Sequence, residues 1–486
     1  MNIQIPRQRA WLRLLSLAIG AAALAVFAPH SQANTVQELT TRTTELQISL
    51  DTTWVLLTGF LVFFMQTGFA ILEAGLIRQT GVVNCLLENF IDAAVTAIAF
   101  WLTGFAIAFG SDLGGIIGTS HFLLADAMQI VGGKVTYTMG AAGSTANVHT
   151  YTLFFFQFAF AATASTITTG AMAERTDFRG DLIYSFIMGA FSYPLIVHWV
   201  WHSQGWLAKL GYLDFAGSSV VHVVGGFTAL VGAYLLGARP QRVWDQPPPA
   251  HNLSLATLGT MILWLGWYGF NPGSTIGTNN PGLIGLVTIN TTLAAGAGAL
   301  AALFHVFLKI GKWHLFCGLN GSLAGLVAVT AGCAYIQPWA AVIIGAIAGV
   351  LVLVVVDWIE SLRIDDPVGA FGVHGACGTF GTLAVGLFAQ PELASGKGGL
   401  FLTGNLQLLG IQILGLFAIA IFTTGFAFLM FSGLNALNLL RVDRQADIVG
   451  IDVYEHGASA WPDIYPIDHL LEASPEDLDL PLEARG

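Results

Sequence analysis

Charge is what this sequence has least of. Aspartate, glutamate, lysine and arginine make up 10% of its 486 residues, against 55% hydrophobic residues. A soluble globular domain carries about 25% charged residues, so a water-facing surface is excluded for most of the chain. Cysteine is scarce as well. Cys85, Cys317, Cys333 and Cys377 lie in or beside apolar stretches, with no pair at metal-ligand spacing; they read as small packing residues. Base is nearly missing from the end of the chain, where Asp463, Asp468, Glu472, Glu476, Asp477, Asp479 and Glu483 are joined only by Arg485. Such a tail repels nucleic acid. No nucleophile-base pair and no metal cluster stands out, so the reading includes no catalytic residue, no metal and no cofactor.

What is present in quantity is apolar sequence in long runs. Crossing about 30 Å of hydrocarbon takes roughly 20 helical residues, and many stretches are long enough. The 57 glycines fit helices that pack closely in lipid. The first segment stands apart: Arg7, Arg9 and Arg13 precede an apolar run from Leu14 to Ala28, and Ser31-Gln32-Ala33 offers a small-x-small cleavage site. Residues 1–33 thus read as a secretory signal peptide, with the mature N-terminus outside near Asn34, the competing reading being an uncleaved signal anchor. Eleven spans follow, near 53–77, 90–109, 150–172, 182–201, 218–237, 255–270, 282–308, 315–334, 338–359, 368–389 and 404–438. The fold class is an all-α polytopic membrane protein, with a transmembrane domain over 34–439 and a cytoplasmic tail over 440–486. Ten basic residues fall in loops after odd-numbered spans and four on the other side (Arg42, Lys134, Lys209 and Lys397). That bias places the C-terminus inside.

Two segments resemble each other. Asp214-Phe-Ala-Gly-Ser-Ser-Val-Val-His222 and Asp366-Pro-Val-Gly-Ala-Phe-Gly-Val-His374 each set an Asp eight residues before a His. Five spans separate them, so they enter the membrane from opposite sides. This predicts a five-plus-five inverted repeat with the eleventh span outside it, and a substrate path at the interface of the two halves. An ionisable residue inside a span is costly there, so His222 and His374 are the strongest functional candidates. Facing each other, neutral imidazoles share one N–H···N bond and offer donor or acceptor edges to a small molecule that both donates and accepts. Asp366, before Pro367, reads as a helix cap; Asp214 reads as a cap or as negative potential for an outer cation site. Phe156, Phe160, Trp201 and Phe270 lie near outer span ends, where aromatic faces attract cations and where Trp and Tyr also occur simply as interface residues.

These residues resemble the ammonium transporter (Amt/Mep/Rh) family. The two Asp-to-His segments match its signatures. So do Phe156-Gln157-Phe-Ala-Phe160, Gly170-Ala-Met-Ala-Glu174-Arg175, Gly266-Trp267-Tyr-Gly-Phe270-Asn271-Pro-Gly-Ser274 and Gly450-Ile-Asp452-Val-Tyr-Glu-His456-Gly457. The resemblance covers roughly Asp51 to Gly457. It implies a homotrimer in the cell inner membrane that passes ammonium or ammonia through one pore per subunit. Phe160, Trp201 and Ser274 would form the outer ammonium site, supported by Asp214. Phe156 and Phe270 would be the stacked gate, and His222 and His374 the paired pore histidines. Ser218 stands where the family usually has glycine, and the stretch after Trp201 is poor in glycine, so Trp199 competes with Trp201 for the outer site. The tail from Gly450 to Gly457 would pack beneath a neighbouring subunit, with Asp452 pairing cytoplasmic-loop arginines, and a P-II-type signal protein would dock on that face. Rival readings are an ammonium sensor signalling through its tail, a channel for carbon dioxide or other small neutral molecules, and an intramembrane enzyme.

Overall fold

Long apolar runs leave the backbone no solvent to bond to, so they close their own hydrogen bonds as helices. The computed structural model describes residues 8–239, 242–244 and 250–462. Its long helices are α1 (Gln8–Leu76), α2 (82–109), α3 (Thr150–Met172), α4 (178–201), α5 (Ser218–Leu236), α6 (Leu253–Phe270), α7 (Pro281–Ile310), α8 (Leu315–Thr330), α9 (Pro338–Ser361), α10 (Phe371–Phe388) and α11 (Gln407–Ala436). Ten segments of the described chain are long and apolar enough to cross a membrane; α8, at 16 residues, is the shorter apolar helix that falls on the eighth predicted span. The helix that holds the first span begins well before residue 53: α1 is one continuous helix of 69 residues. Residues 1–7 and the acidic stretch after Pro462 lie outside the described residues.

Small residues set the packing. A Cβ on Gly75 would fall 2.5 Å from the Ala256 backbone nitrogen, and one on Gly259 would fall 2.4 Å from that of Leu72. Helices α1 and α6 therefore touch backbone to backbone. The same closeness joins α5 to α10. Gly226 sits against Gly375, Phe227 lies 5.3 Å from Phe371, and Gly378 sits against the Ser218 carbonyl. As the α5 number rises the α10 number falls, so the two helices cross antiparallel. Pairing of α1 with α6 and of α5 with α10 is what an inverted repeat places about its axis.

Two features were not expected. The loop between α2 and α3 holds two small antiparallel hairpins, β1 (Asp112–Leu113) with β2 (Ile117–Gly118) and β3 (Met128–Val131) with β4 (Lys134–Tyr137). After α11 the chain forms two short helices, α12 (Arg444–Val449) and α13 (Ile451–His456). The second packs on its own chain. Asp452 accepts hydrogen bonds from the Val83 and Asn84 N–H groups (2.9 and 2.8 Å), Glu455 accepts from Phe178 N–H (3.0 Å), and His456 Nε2 meets Asn84 Oδ1 at 2.7 Å. Asp452 thus caps the start of α2 and does not pair an arginine. A carboxylate is favoured there because a helix N-terminus exposes unpaired N–H groups and positive dipole. The tail arginine Arg441 binds carbonyls at the end of α5 and just beyond it, Leu236 (2.6 Å) and Ala238 (3.2 Å).

Candidate functional site

The two Asp-to-His segments build one local structure twice. Asp214 Oδ1 accepts from the N–H groups of Gly217 and Ser218, and its Oδ2 from those of Ser219 and Val220, at 2.8–3.0 Å. Asp366 does the same with Gly369, Ala370 and Phe371 at 2.9–3.0 Å. In each copy the glycine takes a positive φ, 115° at Gly217 and 75° at Gly369, which costs a side-chain-bearing residue more. A widened helical turn follows, and on it sits the histidine. Such turns recur at functional sites. Ser218, the departure from the family pattern, is well used: its hydroxyl donates to the Val327 carbonyl and accepts from Ala331 N–H, both at 2.7 Å.

The crossing of α5 and α10 brings the two histidines together. Their Nδ1 atoms lie 3.1 Å apart and their rings are nearly parallel. One ring must donate and the other accept, so the pair holds a single proton between them. The His222 ring also runs nearly parallel to Trp267 at 5.3 Å and to Phe270 at 5.4 Å. Its Nε2 is buried without a hydrogen-bond partner.

Above the pair lie the aromatic rings. Phe160 stacks on Phe270 at 4.2 Å, Phe156 meets Phe160 at 4.8 Å, and Trp201 meets Phe160 edge-on at 5.9 Å. The ring stacked on Phe270 is therefore Phe160, and Phe156 sits one helical turn toward the N-terminal end of α3. This corrects the expected pairing of Phe156 with Phe270. A cavity of about 170 Å³ opens above, lined by Phe156, Phe160, Trp201 and Ser274 among others and by no charged side chain. Trp201 rather than Trp199 faces it. The Trp201 indole is anchored by a 2.8 Å bond to the Asp214 carbonyl, while Trp199 packs on Trp206 and Phe422 and bonds Ile116. The Asp214 carboxylate does not reach the cavity; both its oxygens serve the turn, and Ser219 Oγ adds a 2.6 Å bond. Ser274 donates to the Phe270 carbonyl at 2.7 Å, which leaves its oxygen free to accept. Below the pair, a small chamber of about 20 Å³ is lined by Phe69, Glu73, Asn320 and His374.

Two polar groups lay outside the sequence reading. Under the loop between α2 and α3, His198 joins the Ala108 carbonyl to Asp112, each at 3.0 Å, and stacks on His202 at 4.2 Å. The three residues approach within 4.8 Å, but His198 already bonds through both ring nitrogens and His202 Nδ1 accepts from Gln204 N–H, so they prop the loop. The His198 bond holds the Asp112 carboxyl below its ordinary range. On the opposite side, Arg239 bridges Glu174 (2.5 Å) and Asp365 (2.8 and 2.9 Å), and Arg78 also pairs Glu174. Burial opposes ionisation of Asp365, but its Arg239 bonds outweigh it and lower its pKa to about 2. Glu174, likewise buried, is lowered by Arg239 and Arg78. Arg175 reaches four backbone carbonyls from inside this knot, and burial lowers its pKa to about 10.

Fold and site together define a polytopic helical membrane protein with a narrow, largely apolar path between two inverted halves. The Ammonium Transporter Family model matches residues 53–461, and the chain belongs to that family, which is one of transporters and not of enzymes. It is 40% identical to Ammonium transporter Amt2 of Archaeoglobus fulgidus over 86% of this chain and 89% of that protein, and 35% identical to Ammonium transporter 1 member 3 of Solanum lycopersicum over 85% and 93%. Among solved structures it is similar to a Sensor Amt Protein (35% identity, TM-score 0.77, 85% of this chain and 99% of that one). It is also similar to Candida albicans Mep2 (27% identity, TM-score 0.76, 90% and 95%).

Proposed function

We propose that this protein conducts ammonium across the cell inner membrane, recruiting the cation at the outer aromatic cavity and passing ammonia beneath it. The observation that carries this is the bridged histidine pair lying directly under the Phe160–Phe270 stack, between an outer and an inner cavity. Ammonium and potassium are alike in size and charge, so a charged filter separates them poorly. An apolar constriction separates them by chemistry, because ammonium can give up a proton and cross as ammonia. Dry surroundings favour the neutral form. Phe156, Trp201 and Phe160 supply ring faces worth roughly 0.5–2 kcal/mol each to a cation, and Ser274 an acceptor oxygen. Phe160 and Phe270 act as the gate, and the imidazole edges guide ammonia. Asp214 supports the site indirectly, by holding Trp201 and the His222 turn.

The same reading takes residues 1–33 as a cleaved signal peptide, the N-terminus as outside and the C-terminus as cytoplasmic. It takes the assembly as a homotrimer, with a P-II-type partner on the cytoplasmic face. A reporter fused after Gly457 should read as cytoplasmic; a periplasmic reading would reject the orientation. The central test is uptake of labelled methylammonium in a transport-deficient cell. His222→Ala with His374→Ala should abolish uptake while oligomers still assemble, and unchanged uptake at matched expression would sink the pore. A second reading, sensing, draws on the similarity to a Sensor Amt Protein. Under it, the parent would rescue ammonium-dependent signalling but not growth on limiting ammonium.

A further inference from the structure

Two buried histidines that the path does not use stand beside the aromatic cavity. His198 and His202 flank Trp201 in sequence, are 0% and 1% exposed, and stack ring on ring. Hydrogen-bond bookkeeping fixes where their protons sit. The Ala108 carbonyl can only accept, so His198 Nδ1 carries a proton. Its Nε2 faces Asp112 Oδ1, which also accepts from Gly115 N–H at 2.7 Å. The Asp112 carboxyl is held below its ordinary range and is therefore ionised. An ionised carboxylate only accepts, so Nε2 carries a proton too. His198 is thus an imidazolium paired to Asp112. His202 differs. Its Nδ1 accepts from Gln204 N–H, which leaves it one proton, on Nε2, facing the carbonyls of Gly110 and Ala142.

These rings support one wall of the cavity. Gly143, Ser144 and Thr145 line it together with Trp201. Gly143 presses on His202: an added Cβ would fall 2.1 Å from the His202 Nε2. The Gly143 carbonyl accepts from Ser203 N–H at 2.9 Å, which ties the wall to the end of α4. Contact therefore runs unbroken from Asp112 through His198 and His202 to Gly143. Three more titratable groups act on this clasp. Lys209, on the turn Trp206–Leu210, acts on Asp112. His121 pairs with Asp126 at 2.7 Å and takes the Ala142 N–H at 3.3 Å.

We propose that His198 is a positioning residue for capture of the cation: with a proton on each nitrogen it holds the Gly143–Thr145 wall against the aromatic cavity, and the wall loosens when the Nε2 proton is lost. The proposal rests on the pore reading above. A neutral His198 would turn a lone pair toward the Asp112 carboxylate, setting two acceptors 3.0 Å apart. The Asp112 side chain is 18% exposed, so water can take the proton. The clasp is closed while pH is low enough to keep both protons on His198, and it opens as pH on the cavity side rises.

The test is labelled methylammonium uptake by the full-length protein in liposomes at fixed internal pH. KM and maximal rate are read as external pH runs from about 5.5 to 8.5, a range over which an alkylamine stays charged. In the parent, KM should rise at least fivefold while the maximal rate stays within twofold. Asp112→Asn offers an amide N–H to a neutral His198, so its KM should change less than twofold. Gly143→Ala displaces the wall whatever the charge, so its KM should be raised at least fivefold at both ends of the range. A parent KM that does not rise overturns the proposal and leaves the pore reading standing. So does an equal rise in folded Asp112→Asn, which puts the titration elsewhere. A lower maximal rate with unchanged KM in either variant also overturns it, as the signature of a scaffold role. No uptake in the parent overturns the pore reading, and this proposal with it.

Discussion

Phe156 and Phe160 show how far a single sequence reaches at the scale of the residue. They are four apart on α3 and share a face, so spacing says both look toward the path. Which one meets Phe270 depends on the axial offset of α6 against α3, and no local pattern encodes that offset. The histidines were legible because a span tolerates few ionisable groups and these two recur in register. Phe270 touches both Phe160 and His222. Phe270→Ala should therefore lower methylammonium uptake at least tenfold, while Phe156→Leu should lower it less than threefold; equal losses would reject Phe160–Phe270 as the constriction. The ion knot of Glu174, Arg239 and Asp365 was missed because these residues are far apart in sequence. Its pH behaviour follows from sign. Asp365 and Glu174 have folded pKa values below their ordinary ones, so their stabilisation is present above those ordinary values and is lost as pH falls through the lowered ones. Arg239→Ala strands two buried carboxylates, which costs about 3–5 kcal/mol. Thermal unfolding in detergent should show the variant already destabilised at neutral pH and changing less than the parent between about pH 4 and 2. A variant as stable as the parent would show that the knot contributes nothing.

Among the elements, most spans were readable to within a few residues, since an apolar run ends where hydrocarbon does. The exceptions are α2, which begins eight residues before its predicted span, and α1, whose helix continues through polar sequence from Thr35 to Ser49; hydropathy marks the membrane but not the helix. The hairpins between α2 and α3 are short strands without an alternating pattern long enough to recognise. Helix α13 was located by its motif, yet its partners were not, because backbone N–H groups of α2 and α4 leave no mark in sequence. Gly450, at φ 91°, turns the chain into α13 with Thr80 close by; an added Cβ would fall 2.8 Å from Thr80 Cβ. Gly450→Ala adds both strain, about 1–3 kcal/mol, and a clash. Limited proteolysis should cut the tail of this variant at least fivefold faster, with uptake reduced. Truncation after Trp461, which removes only the acidic stretch, should leave uptake nearly intact. A tail equally resistant in Gly450→Ala and parent would show that the turn at Gly450 does not hold α13 in place.

The molecule as a whole is two halves that complete each other. Each supplies one capped turn and one histidine, and neither half contains a path. That division has a consequence during synthesis. His222 and His374 are 152 residues apart, and a ribosome adding about 5–20 residues per second leaves His222 without its partner for roughly 8–30 s. Over that interval the fifth helix sits in the bilayer with an unmatched ring and with its glycine face open to lipid or to translocation machinery. A chain arrested before α10 should accordingly be short-lived, and a pulse-chase should show its half-life several-fold below that of the full chain. Equal half-lives would mean that the first half is stable alone. Quality control for this protein would then be timed by the late arrival of one helix, and lesions in α10 would be felt as early loss of protein, before any defect in conduction could be measured.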